Sequence, residues 1–169
     1  MKYIWILLII LVGCVQNVQQ PETGGENMKI TSNAFGHEDM IPSKFTCQGE
    51  DINPQLKWED FPAETKSFAL IIDDPDAPNG NWIHWLVKDI PVSVNEIAEN
   101  SVRGKQVENS FGKDNYGGPC PPSGVHRYFF KLYALDVESF EAGSSREFYE
   151  KVEQHKIEMA VLMGKYTKG

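Results

Sequence analysis

Length, composition and charge describe one ordinary acidic domain. The chain has 169 residues, and its 24 acidic and 16 basic side chains give a formal net charge of −8. Lys and Arg form no block along the sequence, so we expect no nucleic-acid partner, because such partners are bound through basic patches. An acidic surface also gains nothing from an anionic membrane, so any membrane contact has to come from an anchor.

The first residues have the pattern of an export signal. Lys2 precedes the apolar residues 3–12, a run too short for a permanent transmembrane helix, which needs roughly 20 residues. A charged start and a short apolar middle are typical of a secretory signal peptide. Residues 11–14 read Leu-Val-Gly-Cys and resemble the lipobox of bacterial lipoproteins, whose cysteine carries lipid. We therefore predict a signal peptide over residues 1–13 and a lipidated Cys14; an ordinary signal peptide with an incidental cysteine is the alternative.

The same leader predicts where the protein works. A lipoprotein of this kind is exported and anchored at the cell envelope, on its periplasmic or extracellular face. Residues 14–27, which are rich in Gln, Asn, Gly and Glu, cannot bury enough apolar surface to order themselves and are expected to form a flexible linker. Residues 28–169 then form the folded part, which has the size of one domain.

The pattern of this domain is mainly β. Apolar and aromatic runs predict strands at residues 67–72, 82–90 and 127–135, with weaker candidates at 28–31, 55–58 and 157–166. Ser144 and Glu147 have the spacing of a capping box and predict one helix, and a second short helical turn is expected after Ser93. This combination predicts an antiparallel β-sandwich with one or two short flanking helices.

Three polar residues are expected to meet at one end of the predicted sheet. Asp74 continues the strand face that carries the apolar residues at 68, 70 and 72. Seven residues lead from it to Trp82, which fits a tight return and places His84 near the same edge. His126 begins its strand directly after the glycine- and proline-rich loop 117–124. If that strand enters from the same edge, the acid and both histidines converge beside the loop.

Such a cluster has the chemistry of an anion site. Successive glycines can point backbone N–H groups inward as a nest, and prolines reduce the ordering cost of binding. Histidines donate hydrogen bonds and, when protonated, carry positive charge, which a neighbouring aspartate favours. Trp82 and Tyr128 could supply apolar walls. Asp76 could act as a turn cap only, and Arg127 is expected to form a structural ion pair.

Three segments resemble the signature regions of the phosphatidylethanolamine-binding protein family, and most closely its prokaryotic, Raf kinase inhibitor-like branch. They read Asp-Pro-Asp-Ala-Pro at 74–78, Trp-Ile-His-Trp at 82–85 and Gly-Pro-Cys-Pro-Pro-Ser-Gly-Val-His-Arg-Tyr at 118–128. The resemblance implies a Greek-key antiparallel β-sandwich. It also implies an anion pocket formed by seven ligand-binding residues, namely Asp74, Asp76, Trp82, His84, Gly118, His126 and Tyr128. Animal members have a further C-terminal helix near the pocket mouth, and a more open pocket is expected in a chain that ends at Gly169.

The function favoured by these observations is non-enzymatic binding of a small anionic or phosphorylated ligand that resembles a phospholipid headgroup. No cofactor is expected. The resemblance also implies a regulatory role of the kinase- or protease-inhibitor type, although an exported protein would not meet cytoplasmic kinases. A homodimer or another protein partner stays open.

Two alternatives, a hydrolase and a metal site, use the same residues. In a hydrolase, Cys120 would be the nucleophile beside Asp74, His84 and His126, although no Gly-x-Ser-x-Gly turn is present. In a metal-dependent site, the same acid and histidines would be the ligands. A disulfide between Cys47 and Cys120 would exclude the first alternative, and the sequence leaves this pairing and two reduced thiols about equally open.

Overall fold

Residues 27–169 are described by a computed structural model. The predicted signal peptide, Cys14 and all but the last residue of the predicted linker lie outside the described residues. The elements, in chain order, are β1 (Lys29–Thr31), a 3-10 turn (Ser43–Phe45), β2 (Leu56–Glu59), β3 (Ser67–Asp74), β4 (Trp82–Pro91), β5 (Glu96–Ile97), β6 (Lys105–Val107), β7 (His126–Leu135), α1 (Ser145–His155) and β8 (Lys156–Tyr166).

Two antiparallel sheets carry the fold. The smaller sheet has the strand order β1-β2-β5, and the larger has the order β6-β4-β3-β7-β8. Strand β3 is central in the larger sheet, and all eight of its residues are buried. The apolar side chains on one face of β3, such as Phe68 and Leu70, pack against Trp58 and Ile30 of the smaller sheet. The predicted mainly-β sandwich is confirmed.

The six predicted strands are all present, but two short strands differ from the prediction. The helical turn expected after Ser93 is wrong, because Glu96 and Ile97 form β5 and pair with β2. Ile97 is fully buried between the sheets. Its packing there favours a strand and outweighs the helical preference of the capping-box spacing. Strand β6 was not predicted. Its three residues pair with β4, and such a short segment is too polar to show the alternation of apolar and polar residues that predicts a strand.

Helix α1 begins at the predicted cap and packs on the outer face of the larger sheet. Ser144 Oγ accepts a hydrogen bond from the Glu147 N–H, while the Glu147 carboxylate accepts from the Gly143 N–H, one residue earlier than in a standard capping box. Phe148 and Val152 bury the apolar stripe of the helix. Within residues 27–169, no helix has the length and apolar character needed to cross a bilayer.

Candidate functional site

The candidate site lies where three strands of the larger sheet begin or end. Strand β3 ends at Asp74, which pairs with Trp82 at the start of β4, and β7 begins at His126 on the other side of β3. Because both neighbours run antiparallel to β3, they begin near the end of β3. The structure therefore brings Asp74, His84 and His126 to one edge of the sheet.

A β-bulge turns His84 toward this edge. Ile72 pairs with Trp85 and Asp73 pairs with Ile83, so His84 is the extra residue that no β3 residue opposes. As a result, both His84 and Trp85 face the side between the sheets, where their rings contact Tyr128 and Tyr116 respectively. Bulges commonly re-aim one side chain next to a functional site.

His84 has a fixed tautomer. Its Nδ1 lies 2.6 Å from the Gly117 carbonyl oxygen, and a carbonyl can only accept, so Nδ1 carries the proton. Burial lowers the pKa of His84, and the Gly117 carbonyl opposes this effect only in part. A neutral His84 with the proton on Nδ1 has a lone pair on Nε2, which is the nitrogen left for a ligand.

His126 is held by the acid of β3. Its Nδ1 lies 2.7 Å from Asp74 Oδ2, and both side chains are buried. The other carboxylate oxygen, Asp74 Oδ1, accepts from the Asp76 N–H at 2.9 Å. Asp74 therefore has two tasks: it closes the turn that follows β3, and it orients the imidazole of His126.

These side chains line a cavity of about 380 Å³. Four of the residues predicted for the pocket reach it, namely Asp74, Trp82, His84 and His126. The remaining wall is mostly apolar and consists of Ala77, Pro78, Asn79, Phe111, Cys120, Pro121 and Pro122. The cavity thus combines a polar end formed by an acid and two histidines with apolar and aromatic sides.

Phe111 was missed by the sequence analysis, although it is 40% exposed at the cavity and contacts the rings of both Trp82 and His84. Asn109 places it. The Asn109 side-chain oxygen accepts from the Phe111 and Lys113 N–H groups, and its amide donates to the His84 carbonyl. An Asn followed by a glycine three residues later is a turn signal, and it could have identified this loop but not its position over the cavity.

Two other predicted residues lie behind the cavity. Asp76 accepts a bidentate pair from the Arg127 guanidinium and a third hydrogen bond from the Arg127 N–H, which holds the pKa of Asp76 at about 2. Tyr128 is fully buried beneath His84, and burial raises its pKa. Asp74 and the Cys120 backbone lie near its hydroxyl, but neither meets hydrogen-bond geometry.

The predicted glycine nest is wrong for Gly117 and Gly118. The Gly117 N–H donates to the His84 carbonyl at 3.1 Å, and the Gly118 N–H donates to Asp51 Oδ1 at 2.7 Å. Both groups therefore stabilise the loop and are not free for an anion. Gly118 serves close packing instead: a Cβ there would lie 2.4 Å from the Phe45 carbonyl oxygen and 2.8 Å from the Thr46 Cα.

Replacement of Gly118 by alanine should therefore destabilise the domain. Because the clashing atoms are backbone, relief requires a shift of the loop, and we expect the free energy of unfolding to fall by about 2 kcal/mol. Chemical denaturation followed by tryptophan fluorescence measures this change. Gly80→Ala is the matched control, since nothing lies near that position although its positive φ adds some strain. An unchanged stability of Gly118→Ala would show that the loop packs differently.

Cys47 and Cys120 form a disulfide, with their Cα atoms 5.4 Å apart. The bond ties the loop to the segment after the 3-10 turn, where the Cys47 N–H also donates to the Pro119 carbonyl. A bonded Cys120 has no thiolate, so the hydrolase alternative loses its nucleophile. Within the described part of the chain, no three His, Cys, Asp or Glu side chains are grouped in a way that could hold a metal ion.

Comparisons with known proteins give relatives along almost the whole described chain. The chain is 46% identical to a UPF0098 protein of Methanothermobacter thermautotrophicus over 154 residues, which is 84% of this chain and 100% of the relative. It is 44% identical to a UPF0098 protein of Aquifex aeolicus over 170 residues, which is 94% of this chain and 99% of the relative.

Solved structures agree with these relatives. A Chlamydia trachomatis protein described as a homologue of phosphatidylethanolamine-binding proteins is 42% identical, with a TM-score of 0.79 over 85% of this chain and 99% of that chain. Escherichia coli YbcL, described as a member of the mammalian family, is 29% identical, with a TM-score of 0.80 over 85% of this chain and 100% of that chain. The sequence profile described as phosphatidylethanolamine-binding protein matches residues 31–167. The chain therefore belongs to the phosphatidylethanolamine-binding protein family.

Proposed function

We propose that this protein binds a small anionic ligand, with a phosphate-like group at the polar end of the cavity, and that it performs no chemistry on the ligand. The observation that carries the proposal is the pair of histidines whose Nδ1 atoms are both engaged by the protein. This arrangement leaves both Nε2 atoms for the ligand in one cavity. A few polar groups that converge in a largely apolar pocket are typical of a ligand-binding site.

The charge at this end of the cavity depends on His126. When its imidazole is protonated, Nδ1 donates to Asp74 and Nε2 presents a second, charged N–H to the ligand. Among the described residues that line the cavity, none is a Lys or Arg, and Arg127 is already engaged by Asp76. The site therefore recognises an anion through a few directed hydrogen bonds and not through a strong positive potential.

The apolar sides favour a ligand with an apolar or cyclic part next to its anionic group. Trp82 and Phe111 meet edge to face at the cavity, with ring centroids 5.4 Å apart. Three prolines complete the wall, at positions 78, 121 and 122. Proline-rich walls lose little conformational entropy when a ligand binds, so this surface can add affinity for an organic phosphate without a large rearrangement.

The location of this function is part of the proposal. We place the domain at the outer side of a membrane, anchored by lipid on Cys14 and separated from the bilayer by the linker. The Cys47–Cys120 disulfide supports this placement, because such bonds persist in exported proteins and are rare in the cytosol. The pocket would then sample ligands of the cell envelope or of the surrounding medium.

Replacement of His126 by alanine tests the proposal. We expect the affinity for inorganic phosphate, measured by titration calorimetry at about pH 6.5, to fall at least tenfold, because the hydrogen bond between the ligand and the imidazole is lost. His155→Ala is the matched control, since His155 makes the same kind of contact with Asp136, at 2.9 Å, but lies outside the cavity. Equal phosphate affinities in wild type and His126→Ala, with both proteins folded, would contradict the proposed function.

A further inference from the structure

The two histidines of the cavity are not equivalent toward a ligand. His126 donates its Nδ1 proton to a carboxylate, whereas His84 donates its Nδ1 proton to the neutral carbonyl of Gly117. A carboxylate can form an ion pair with a protonated imidazole, whereas a carbonyl oxygen carries no full negative charge. The His84 ring is also 3% exposed and bordered by the Tyr128 and Phe111 rings. The Nε2 atom of His84 therefore meets a ligand as a hydrogen-bond acceptor.

The groups that face His84 come from each element packed against it. Strand β3 contributes Asp74 and, on its other face, Asp73, while β7 contributes His126 and Tyr128. The glycine–proline loop contributes the Gly117 carbonyl and the disulfide-bonded Cys120, which does not titrate. The nearby carboxylates favour a cationic His84, but burial has the larger effect and lowers its pKa.

We propose that His84 selects an oxyanion that brings its own hydroxyl group, so that hydrogen phosphate is preferred over sulfate and over the phosphodiester of a phospholipid headgroup. The inference rests on the proposed function and names the class of ligand for that cavity. A hydrogen phosphate donates its P–O–H to the Nε2 lone pair of His84 and accepts from His126 through another oxygen. Sulfate and a phosphodiester have no such proton, and their oxygens face a lone pair.

An oxyanion without a hydroxyl can bind only when His84 takes up a proton first. Above the pKa of His84, that uptake becomes less favourable by about tenfold per pH unit. Inorganic phosphate keeps one acidic hydrogen well above neutral pH, so its complex with neutral His84 requires no uptake. A phosphomonoester has its second pKa near 6, so it carries the hydroxyl only in mildly acidic medium.

The experiment compares inorganic phosphate and sulfate as competitors for the wild-type protein between about pH 7.5 and pH 9. We expect the ratio of the phosphate affinity to the sulfate affinity to rise by about tenfold per pH unit. The rise ends at the pH above which sulfate binds without a hydrogen bond from His84. Because both anions contact His126, its contribution is common to both affinities and cancels in the ratio. A ratio that does not change with pH would overturn the inference. If neither anion binds, the proposed function fails instead, so the two failures are distinct.

Two further arms distinguish a free phosphate from a lipid headgroup. Phosphoethanolamine is a monoester, and glycerophosphoethanolamine is the diester of an intact headgroup. Over the same pH range we expect both to lose affinity relative to inorganic phosphate by about tenfold per pH unit. A diester whose affinity stays parallel to that of inorganic phosphate would assign the site to lipid headgroups and contradict the selection by His84.

The variant His84→Gln tests whether the discrimination between the anions depends on the acceptor nitrogen of the His84 ring. In His84→Gln the amide can present either its N–H or its oxygen to the ligand, so we expect the phosphate-to-sulfate ratio to become independent of pH. His155→Gln, outside the cavity, should keep the wild-type pH dependence. A His84→Gln protein that still shows the steep ratio would place the discriminating proton elsewhere and overturn the inference.

Discussion

Replacing both Cys47 and Cys120 by serine should lower the free energy of unfolding by about 4 kcal/mol. The disulfide joins residues that are 73 positions apart, and opening a loop of this length returns that much conformational entropy to the unfolded chain. Urea denaturation of the double variant and of the wild type measures the difference. The Cys14→Ser protein is the matched control, because it also loses a cysteine but keeps the disulfide.

The same substitution should weaken the candidate site. Cys120 is part of the cavity wall, and the Gly117 carbonyl that fixes the tautomer of His84 lies three residues before it. Without the bond, this loop keeps its hydrogen bonds from Cys47 to Pro119, from Gly117 to His84 and from Gly118 to Asp51, but it loses its covalent link to the segment after the 3-10 turn. We expect a fall in phosphate affinity, measured at a temperature where circular dichroism shows the double variant to be folded. Two free thiols in the native wild-type protein, or an unchanged free energy of unfolding, would contradict the role of the disulfide.

The convergence of the polar residues could be predicted because it depends on local rules. Asp74 ends an apolar strand, His84 lies close to the start of the next, and His126 follows a turn-rich loop. Antiparallel neighbours of one strand necessarily bring these ends together. The orientation of His84, however, depends on a bulge in β4, and a one-residue insertion in a register leaves no mark in the alternation of apolar residues.

The chemistry of the loop could not be read from its composition. Gly117 and Gly118 resemble a nest, but tertiary partners satisfy both N–H groups: the His84 carbonyl and the Asp51 carboxylate. Asp51 is 67 residues away from Gly118 in the chain, and the sequence has no signal that joins them. Phe111 was missed for the same reason, since its place over the cavity depends on the Asn109 turn and on packing against Trp82.

A buried carboxylate on the outer face of the larger sheet supports the site from behind. Asp73 is fully buried, and its Oδ2 accepts hydrogen bonds from Asn81 Nδ2, Lys131 Nζ and the Tyr149 hydroxyl at 2.7–2.9 Å. Burial raises the pKa of Tyr149, so this tyrosine stays protonated and donates. One side chain of β3 thus holds β7, α1 and the turn that ends directly before Trp82.

Replacement of Asp73 by alanine should lower the free energy of unfolding by about 3 kcal/mol, because three donors lose a buried acceptor at once. Lys131 is partly exposed and can turn toward water, which places the loss at the lower end for a buried ion pair. Urea denaturation measures it. Asp73→Asn keeps the volume and one acceptor oxygen and should lose less, and Glu150→Ala, which removes the exposed pair with Arg146, should change the stability little.

Phosphate binding by the same variants distinguishes a residue that stabilises the fold, Asp73, from one that contacts the ligand, His126. Asp73 faces away from the cavity and Asp74 faces into it, although the two are adjacent in the chain. At a temperature where Asp73→Ala is folded, its phosphate affinity should therefore fall less than that of His126→Ala, and the phosphate-to-sulfate ratio should keep its pH dependence. An Asp73→Ala protein with wild-type stability, or one that loses the pH dependence while folded, would contradict this division between the two faces of β3.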